Sequence, residues 1–328
     1  MIAVLYGWLI KATLDGFSFL IRLPYMLQLK LLEDFIALAR TGSFVRAAEL
    51  RHVTHPAFGR RIRALESWAG AALVDRSQQP LALTPQGQVL LKTAHQVVQQ
   101  LELMRRQIEA DAGPQGDVLR IASGRTLART LVTNWLAGLR KGRKPALASD
   151  ARVDITTGMM ADMAVLLAEG KADFLCCYEH PALSTELSAA NYHYMTLATD
   201  KLVPVCQPTS KGLPRFPLAA SGAPVPLIGY SGGLAMSHIL GDKLQAMPYP
   251  LVPTVYCDSL DAALGAAING LGVAWLPWSL VVSECRHKTL LALGGRSEEI
   301  AFEVRLYRSR SPLSRLAEAV WHMTQQRT

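Results

Sequence analysis

The stretch "GSFVRAAELRHVTHPAFGRRIRALE", residues 42–66, holds Arg51, Arg60, Arg61 and Arg63, with no acidic residue between Arg51 and Arg63. Whether those arginines solvate a helix or meet a polyanion depends on the face that presents them. Ser43 is expected to be an N-cap, its hydroxyl accepting an otherwise orphan amide of a helix over Phe44–Leu50. Ala47 and Ala48 are small enough to let a second helix cross closely, as a helix-turn-helix requires. After a short turn at 51–53, Thr54 is expected to cap the next helix, and Pro56 falls in its first turn, where a missing N–H costs little. Phe58, Ile62 and Leu65 form the inward stripe of that helix. A rotation of about 100° per residue then puts Pro56, Arg60, Arg63 and Ser67 outward, with Ala57 and Arg61 to one side. An arginine-rich outer face is ordinarily just a solvated surface. Its place after a capped, alanine-rich helix and a tight turn is that of a recognition helix. A guanidinium fork pairs with guanine O6 and N7 or with a phosphate, so Arg60 and Arg63 are candidate readers of a major groove.

Upstream, Leu31, Phe35 and Leu38 recur at i, i+4, i+7, the spacing of an amphipathic helix, and Thr41-Gly42 stops it. Downstream, LVDRSQQPLALT predicts two short strands, 73–76 and 81–84, around a turn at 77–80. This is a wing; Arg76 at its edge is either a phosphate or minor-groove contact or an ordinary exposed arginine. Thr84-Pro85 then opens a long helix. Its residues Leu90, Ala94, Val97, Leu101, Met104 and Ile108 are spaced 4, 3, 4, 3, 4, the 3.5-residue period of a coiled-coil seam. Such a seam favours a homodimer over packing on the chain's own core. Gly113-Pro114-Gln115-Gly116 ends the rod and marks a domain boundary.

A length of 328 residues leaves room for a small domain joined to a larger one, and 34 Lys+Arg against 26 Asp+Glu gives a net charge of +8 that permits an anionic partner. The five cysteines lack paired C-x-x-C spacing and are expected to be reduced, mostly buried thiols. The histidines show no metal-ligand spacing, and no cofactor is implied. Lys11 and Asp15 interrupt the apolar start of the chain well short of the ~20 residues a spanning helix needs. Residues 1–26 are therefore expected to be an extension ahead of a start at Met26, with a membrane-lying helix as the alternative and no membrane partner in the preferred reading.

From Val118 onward, short strands alternate with helices, the pattern of an α/β domain. Loops at the carboxyl ends of parallel strands present free amides and a positive dipole end to a ligand. Four such places are expected: Ser123-Gly124-Arg125, Thr156-Thr157, Ser231-Gly232-Gly233 and Asp258-Ser259. Arg125 and those dipole ends suit a small anion, although each of these residues would serve equally as a helix cap. No G-x-S-x-G elbow, P-loop, G-x-G-x-x-G fingerprint or H-E-x-x-H helix is present, so catalysis has no support in the sequence.

Residues 31–87, with GSFxxAAxL, TxPAFxRRIRxLE, LxxR and LTPQG spelled out as HPAFGRRIRALE, LVDR and LTPQG around them, resemble the DNA-binding domain of LysR-type transcriptional regulators, and the remaining chain to residue 328 fits that family. The resemblance implies an otherwise all-α winged helix-turn-helix over 27–84 and a linker and dimerisation helix over 85–112. It further implies an α/β effector domain over 118–328, of two Rossmann-like lobes in the manner of periplasmic solute-binding proteins. Lobe I would span about 118–198 and 278–328, lobe II about 199–277, with hinges at Thr199-Asp200 and Pro277. DNA contacts would come from Ser43, Thr54, His55, Pro56, Ala57, Arg60, Arg61, Arg63 and Arg76, and effector contacts from Ser123, Arg125, Thr157, Ser231 and Ser259. The implied partners are double-stranded DNA, a second copy of the chain (a homodimer or homotetramer), a small-molecule effector and RNA polymerase, all in the cytoplasm. The sequence departs from the family pattern at His55, where glutamine is usual, at Gly59, where serine is usual, and at Val74, where phenylalanine is usual. Operator preference is expected to differ accordingly. YSGGLAMSHIL and CDSLDAALGAAINGLGVAWLP resemble the hypochlorite-responsive branch of the family. That resemblance makes Met236 a redox candidate, while Ser259 stands where that branch has another methionine.

Overall fold

Phe35, Phe58, Ile62 and Leu65 are fully buried and organise the first of two compact units, residues 1–101 and 102–328, in a computed structural model that describes residues 27–77, 81–112, 118–141, 145–183, 187, 191–220 and 223–327. The expectations for residues 1–26, for the wing turn at 78–80 and for the boundary at 113–116 lie outside the described residues.

Helix α1 spans Leu29–Thr41 and stops at Gly42, whose φ of 58° glycine adopts without strain. Helices α2, Phe44–Leu50, and α3, His55–Ala69, follow. Ala47 and Ala48 are buried at the crossing, as their size allows. The wing is a two-stranded antiparallel ladder, β1 Val74–Asp75 with β2 Ala82–Leu83, shorter at both ends than the sequence suggests. Helix α4, Pro85–Ala112, starts at Thr84. The Thr84 hydroxyl accepts from the Gly87 amide at 3.0 Å and donates to the Ala72 carbonyl at 2.7 Å, so one side chain caps the rod and ties it to the wing. A Cβ on Gly87 would stand 2.1 Å from the Leu73 carbonyl oxygen; only glycine lets the first turn of α4 pass there.

The heptad stripe of α4 divides. Ala94 is fully buried in the core of the first unit, with Leu90 half-buried beside it, so these two belong to the chain's own packing and not to a free seam. Val97, Leu101, Met104 and Ile108 are 38, 39, 54 and 60% exposed. The physical reason is that the helix-turn-helix core takes one face of the rod, with Ala94 and Val98 buried four residues apart in it, and Val97 stands off that face.

In the second unit, strand β3 (Val118–Ser123) leads into a helical stretch made of α5 (Arg125–Leu127), a π-turn (Ala128–Val132) and α6 (Thr133–Leu139). Strand β4 (Arg152–Thr157), α7 (Met160–Ala168) and β5 (Phe174–Glu179) come next. β6 is a long strand, Tyr192–Cys206, followed by β7 (Val225–Tyr230), α8 (Ala235–Gln245), β8 (Leu251–Cys257) and α9 (Leu260–Ile268). The chain ends with β9 (Ala274–Pro277), α10 (Trp278–Arg286), β10 (Leu291–Ala292), β11 (Ile300–Ser309) and α11 (Arg315–Gln325).

Strands β4, β3 and β5 are parallel, and β11 joins β5 antiparallel and pairs on its other side with β6 from Tyr192 to Leu202. The last residues of β6 pair instead with β9 and β10, and β9 meets the parallel pair β7–β8 through a bridge between Val273 and Leu227. One unbroken strand therefore runs through both lobes: Leu202 faces Ile300 on one side and Pro277 on the other. The crossover expected at Thr199-Asp200 lies inside that strand, not in a loop. The Asp200 carboxylate accepts from the Ser279 amide at 3.3 Å, which ties the first crossover to the second.

The lobe boundary at residue 278 needs correction. Helix α10 follows β9 without a linker and buries Leu280 and Val281, and β10 pairs with the end of β6, so residues 278–292 stay with lobe II and the chain returns to lobe I at β11. A helix with an apolar stripe packs on the nearest sheet, and here the nearest sheet is the one it has just left.

Candidate functional site

On α3 the inward stripe is as deep as its spacing implies, for Phe58, Ile62 and Leu65 have no exposed surface. Pro56, Arg60, Arg63 and Ser67 lie exposed on the opposite face, together with His55 and Thr54 at the start of the helix. Ala57 is half-buried. Thr54 occupies the N-cap position, but its side chain makes no capping hydrogen bond, in contrast to Ser43, which accepts from the Arg46 amide at 3.5 Å. The His55 and Phe58 rings both meet the Phe44 ring edge-on, at 6.2 and 6.1 Å between centroids, which fixes the start of α3 against α2.

The arginines of the opening stretch separate into two sets. Arg51 donates through Nε to Asp34 at 2.8 Å and pairs with Glu33 as well, while Arg61 reaches the other Asp34 oxygen at 3.2 Å. Asp34 is fully buried on α1, so these two guanidinium groups neutralise a carboxylate inside the unit and bind three helices together. Burial works against the charge of Arg51, yet its hydrogen bond to Asp34 and the field of Glu33 outweigh it and raise its pKa. Arg61, expected beside the outer face, is thus held inward. Arg76 on the wing donates to Glu66 of α3 at 2.7 Å and lies over the Phe44 ring at 5.8 Å. Sequence reasoning missed Asp34, although an acid standing on the buried stripe of an amphipathic helix is itself a signal that a cation must come to meet it.

In the second unit the residues expected to bind a ligand do different things. Ser123 is buried and its hydroxyl donates to the Cys176 carbonyl at 3.0 Å. Ser259 caps α9, accepting from the Ala262 amide at 3.2 Å. Ser259 therefore has the cap role the sequence also allowed, whereas Ser123 precedes the N-cap Gly124 and bonds across to the neighbouring strand instead. Arg125 and Thr157 are exposed at the ends of β3 and β4, and Ser231 is half-buried after β7 with its amide on the Cys257 carbonyl. Met236 is fully buried in the core. Burial pushes the Cys176 thiol up to about 12, the hydrogen bond from Ser123 pulling the other way, so this group is a neutral thiol at neutral pH.

Three further residues join the lobes. Asp261, in the first turn of α9, accepts from Arg129 at 2.7 Å and from the Thr126 hydroxyl at 3.3 Å. Arg129 lies in the π-turn, a feature that recurs at functional sites. Tyr178, at the end of β5, has its pKa raised by burial first and then by the fields of Asp200, Cys176 and Asp261. A Cβ on Gly233 would lie 2.7 Å from the Met159 methyl, so the loops after β4 and β7 also meet. Arg129 and Thr126 thus pair with Asp261 between segments more than a hundred residues apart. No group of His, Cys, Asp and Glu that could hold a metal ion is present among the described residues, and no helix among them is long and apolar enough to cross a membrane.

Known proteins share this arrangement. Residues 29–88 match the family of bacterial regulatory helix-turn-helix proteins of the lysR family, and residues 112–328 match the LysR substrate binding domain. The chain is 28% identical over 296 residues to the HTH-type transcriptional regulator YjiE of Escherichia coli K12, covering 90% of this chain and 93% of that one. Among solved structures it is similar to Vibrio fischeri DarR in complex with DNA, at a TM-score of 0.55 and 30% identity over 91% of this chain and 98% of that one. It is also similar to the full-length hypochlorite-specific regulator HypT of Salmonella typhimurium, at a TM-score of 0.54 and 25% identity over 90 and 96% of the two chains. The chain belongs to the LysR family: it is a DNA-binding transcriptional regulator with a winged helix-turn-helix unit and an effector-binding domain.

Proposed function

We propose that α3 reads an operator from the major groove through Arg60 and Arg63, with His55, Pro56 and Ala57 at its leading end and Arg76 steadying the wing near a phosphate. The observation that carries this reading is the pairing of a fully buried stripe, Phe58, Ile62 and Leu65, with two exposed arginines opposite it. A helix so anchored cannot turn its guanidinium groups inward. The test is binding to genomic fragments captured by the purified protein. Arg60→Ala and Arg63→Ala should each weaken it by about 1–3 kcal/mol and lower its salt dependence. Unchanged affinity and salt slope in both variants would overturn the reading. A protein that holds small molecules but ignores duplex DNA would instead be a solute-binding protein or an enzyme.

The regulator works as a homo-oligomer in the cytoplasm and is not an enzyme. Support for self-association comes from the exposed run Val97, Leu101, Met104 and Ile108 on α4, and from Ile155 and Tyr256, exposed on the outer strands β4 and β8. Met104→Glu with Ile108→Glu should lower the sedimenting mass. The effector is a small anion held between the lobes near Arg125, and it shifts the regulator only to the extent that it binds one lobe arrangement more tightly. RNA polymerase is the partner that reads the result. An oxidant as signal rests on the resemblance around Met236. Because Met236 is fully buried, its oxidation would require the lobe to open; equal hypochlorite responses in native protein and Met236→Ile would remove it.

A further inference from the structure

Gly59 sits in the interior of α3, where glycine costs about 1 kcal/mol relative to alanine, and nothing within the protein requires it. Its φ is outside the left-handed region, unlike Gly42 and Gly70 at the helix ends. A Cβ built on it meets no atom within 4 Å, unlike Gly87, where glycine alone avoids a collision. Neither conformation nor internal packing therefore accounts for the residue.

Its position supplies a reason outside the protein. By helical periodicity Gly59 lies on one ridge with His55 and Arg63, four residues to either side, and next to the outward residues Pro56 and Arg60. Glu66, which holds Arg76 of the wing, falls on the same flank. Gly59 thus leaves a gap in that ridge between the exposed side chains of His55 and Arg63, with Arg60 beside it on the outward side. Glycine in a regular element commonly marks close approach of another body to the backbone. The polyanion that Arg60 and Arg63 would engage is the body available on this face.

We propose that Gly59 is a specificity-determining residue: the edge of a base pair enters the gap so closely that a Cβ would exclude it, and the operator is selected there by fit, without a side-chain hydrogen bond. The inference rests on the reading of α3 as the operator-reading helix. It predicts a size-ordered loss. Alanine should weaken binding to the native protein's selected sequences by several-fold, and valine by about tenfold or more, the range of a mismatched base pair. Binding to unrelated duplex, which depends on phosphate contacts, should change less than about twofold.

The experiment selects duplexes from a random pool with the full-length native protein, Gly59→Ala and Gly59→Val, then measures each protein on the native consensus and on a scrambled duplex. A loss that grows with side-chain size on the consensus alone, with altered preference at one base pair in the pools of the variants, supports the proposal. Native-like affinity and consensus for Gly59→Ala overturns it while the recognition reading stands. Failure of the native protein to select any sequence brings down both. Folding does not confound the result, because Gly59→Ala should melt at or above the native temperature, and the scrambled duplex reports a folded unit.

Discussion

The two units handle their polar residues differently. In the first, a helix rotates each successive side chain by about 100°, so adjacent arginines part company: Arg60 goes to solvent and Arg61 to the buried carboxylate of Asp34. In the second, the decisive partners are far apart in sequence. Ser123 finds the Cys176 carbonyl 53 residues away, and Thr126 finds Asp261 135 residues away. Helical periodicity decides inside from outside locally. At the end of a parallel strand, strand pairing decides, and the sequence near the residue carries little of that information.

The largest expected effect separates the faces of α3. Phe58→Ala removes a fully buried ring and should destabilise the first unit by about 3–5 kcal/mol, read by denaturant unfolding. Arg60→Ala, two residues on, should shift unfolding by less than about 0.5 kcal/mol while it weakens DNA binding. A large stability loss in Arg60→Ala would break the division between the two faces.

A second comparison sharpens the split among the arginines. Asp34→Asn and Arg61→Ala should each cost about 1–3 kcal/mol of stability, the worth of hydrogen bonds to charged groups in a part-buried setting. The double variant should lose less than the sum, since both remove one shared contact. Additive losses measured by thermal melting would mean that Arg61 does not act through Asp34.

The helices of the first unit were legible because their apolar stripes are long and their caps are distinctive. Their ends were less so: α1 begins two residues before Leu31, and the wing strands are two residues each. In the second unit the alternation of strands and helices is plain, but the first half of β6, YHYMTLATD, is polar and aromatic and shows no apolar run. It is a strand because β11 lies beside it, paired along its length with one register shift between Val304 and Arg305. Helix α10, WSLVVSECR, carries paired valines that favour a strand locally, and only the apolar face it offers to lobe II makes it a helix. Of the site, the arginine face could be read from spacing alone. The bridge of Arg129 and Thr126 to Asp261 could not, because no local pattern links a π-turn to a helix start more than a hundred residues later.

Ser123→Ala tests the inward reading of the second unit with a smaller effect. Loss of the hydroxyl bond to Cys176 should lower stability by about 1 kcal/mol. If instead the melting temperature is unchanged and the response to an effector is lost, Ser123 faces the ligand and the contrast between the units weakens.

The smallest effect concerns Arg308, which does in the second unit what Arg61 does in the first. Its guanidinium is buried and donates two bonds to Glu318, at 2.6 and 2.7 Å, with the Leu313 amide adding a third at 3.0 Å. The hydrogen bonds from Arg308 hold the Glu318 carboxyl below the usual carboxylate range; burial, the next influence in size, pulls the other way, and the amide of Leu313 and the charges of Arg308 and His322 help to lower it. A carboxyl with a depressed folded-state pKa favours the folded state at any pH above its unfolded value, near 4.3, and this contribution fades as the pH falls through the folded value. The melting temperature of the native protein should therefore drop more steeply below about pH 4.5 than that of Glu318→Gln, which starts lower at pH 7 and has no such proton to take up. Part of the carboxylate meets solvent, so the difference is modest and shrinks in high salt. Parallel melting curves from pH 7 to 3 would show that Arg308 is held by its backbone and ring contacts alone, with Ser309, Ser311 and Trp321, and that its inward orientation does not depend on the carboxylate as that of Arg61 does.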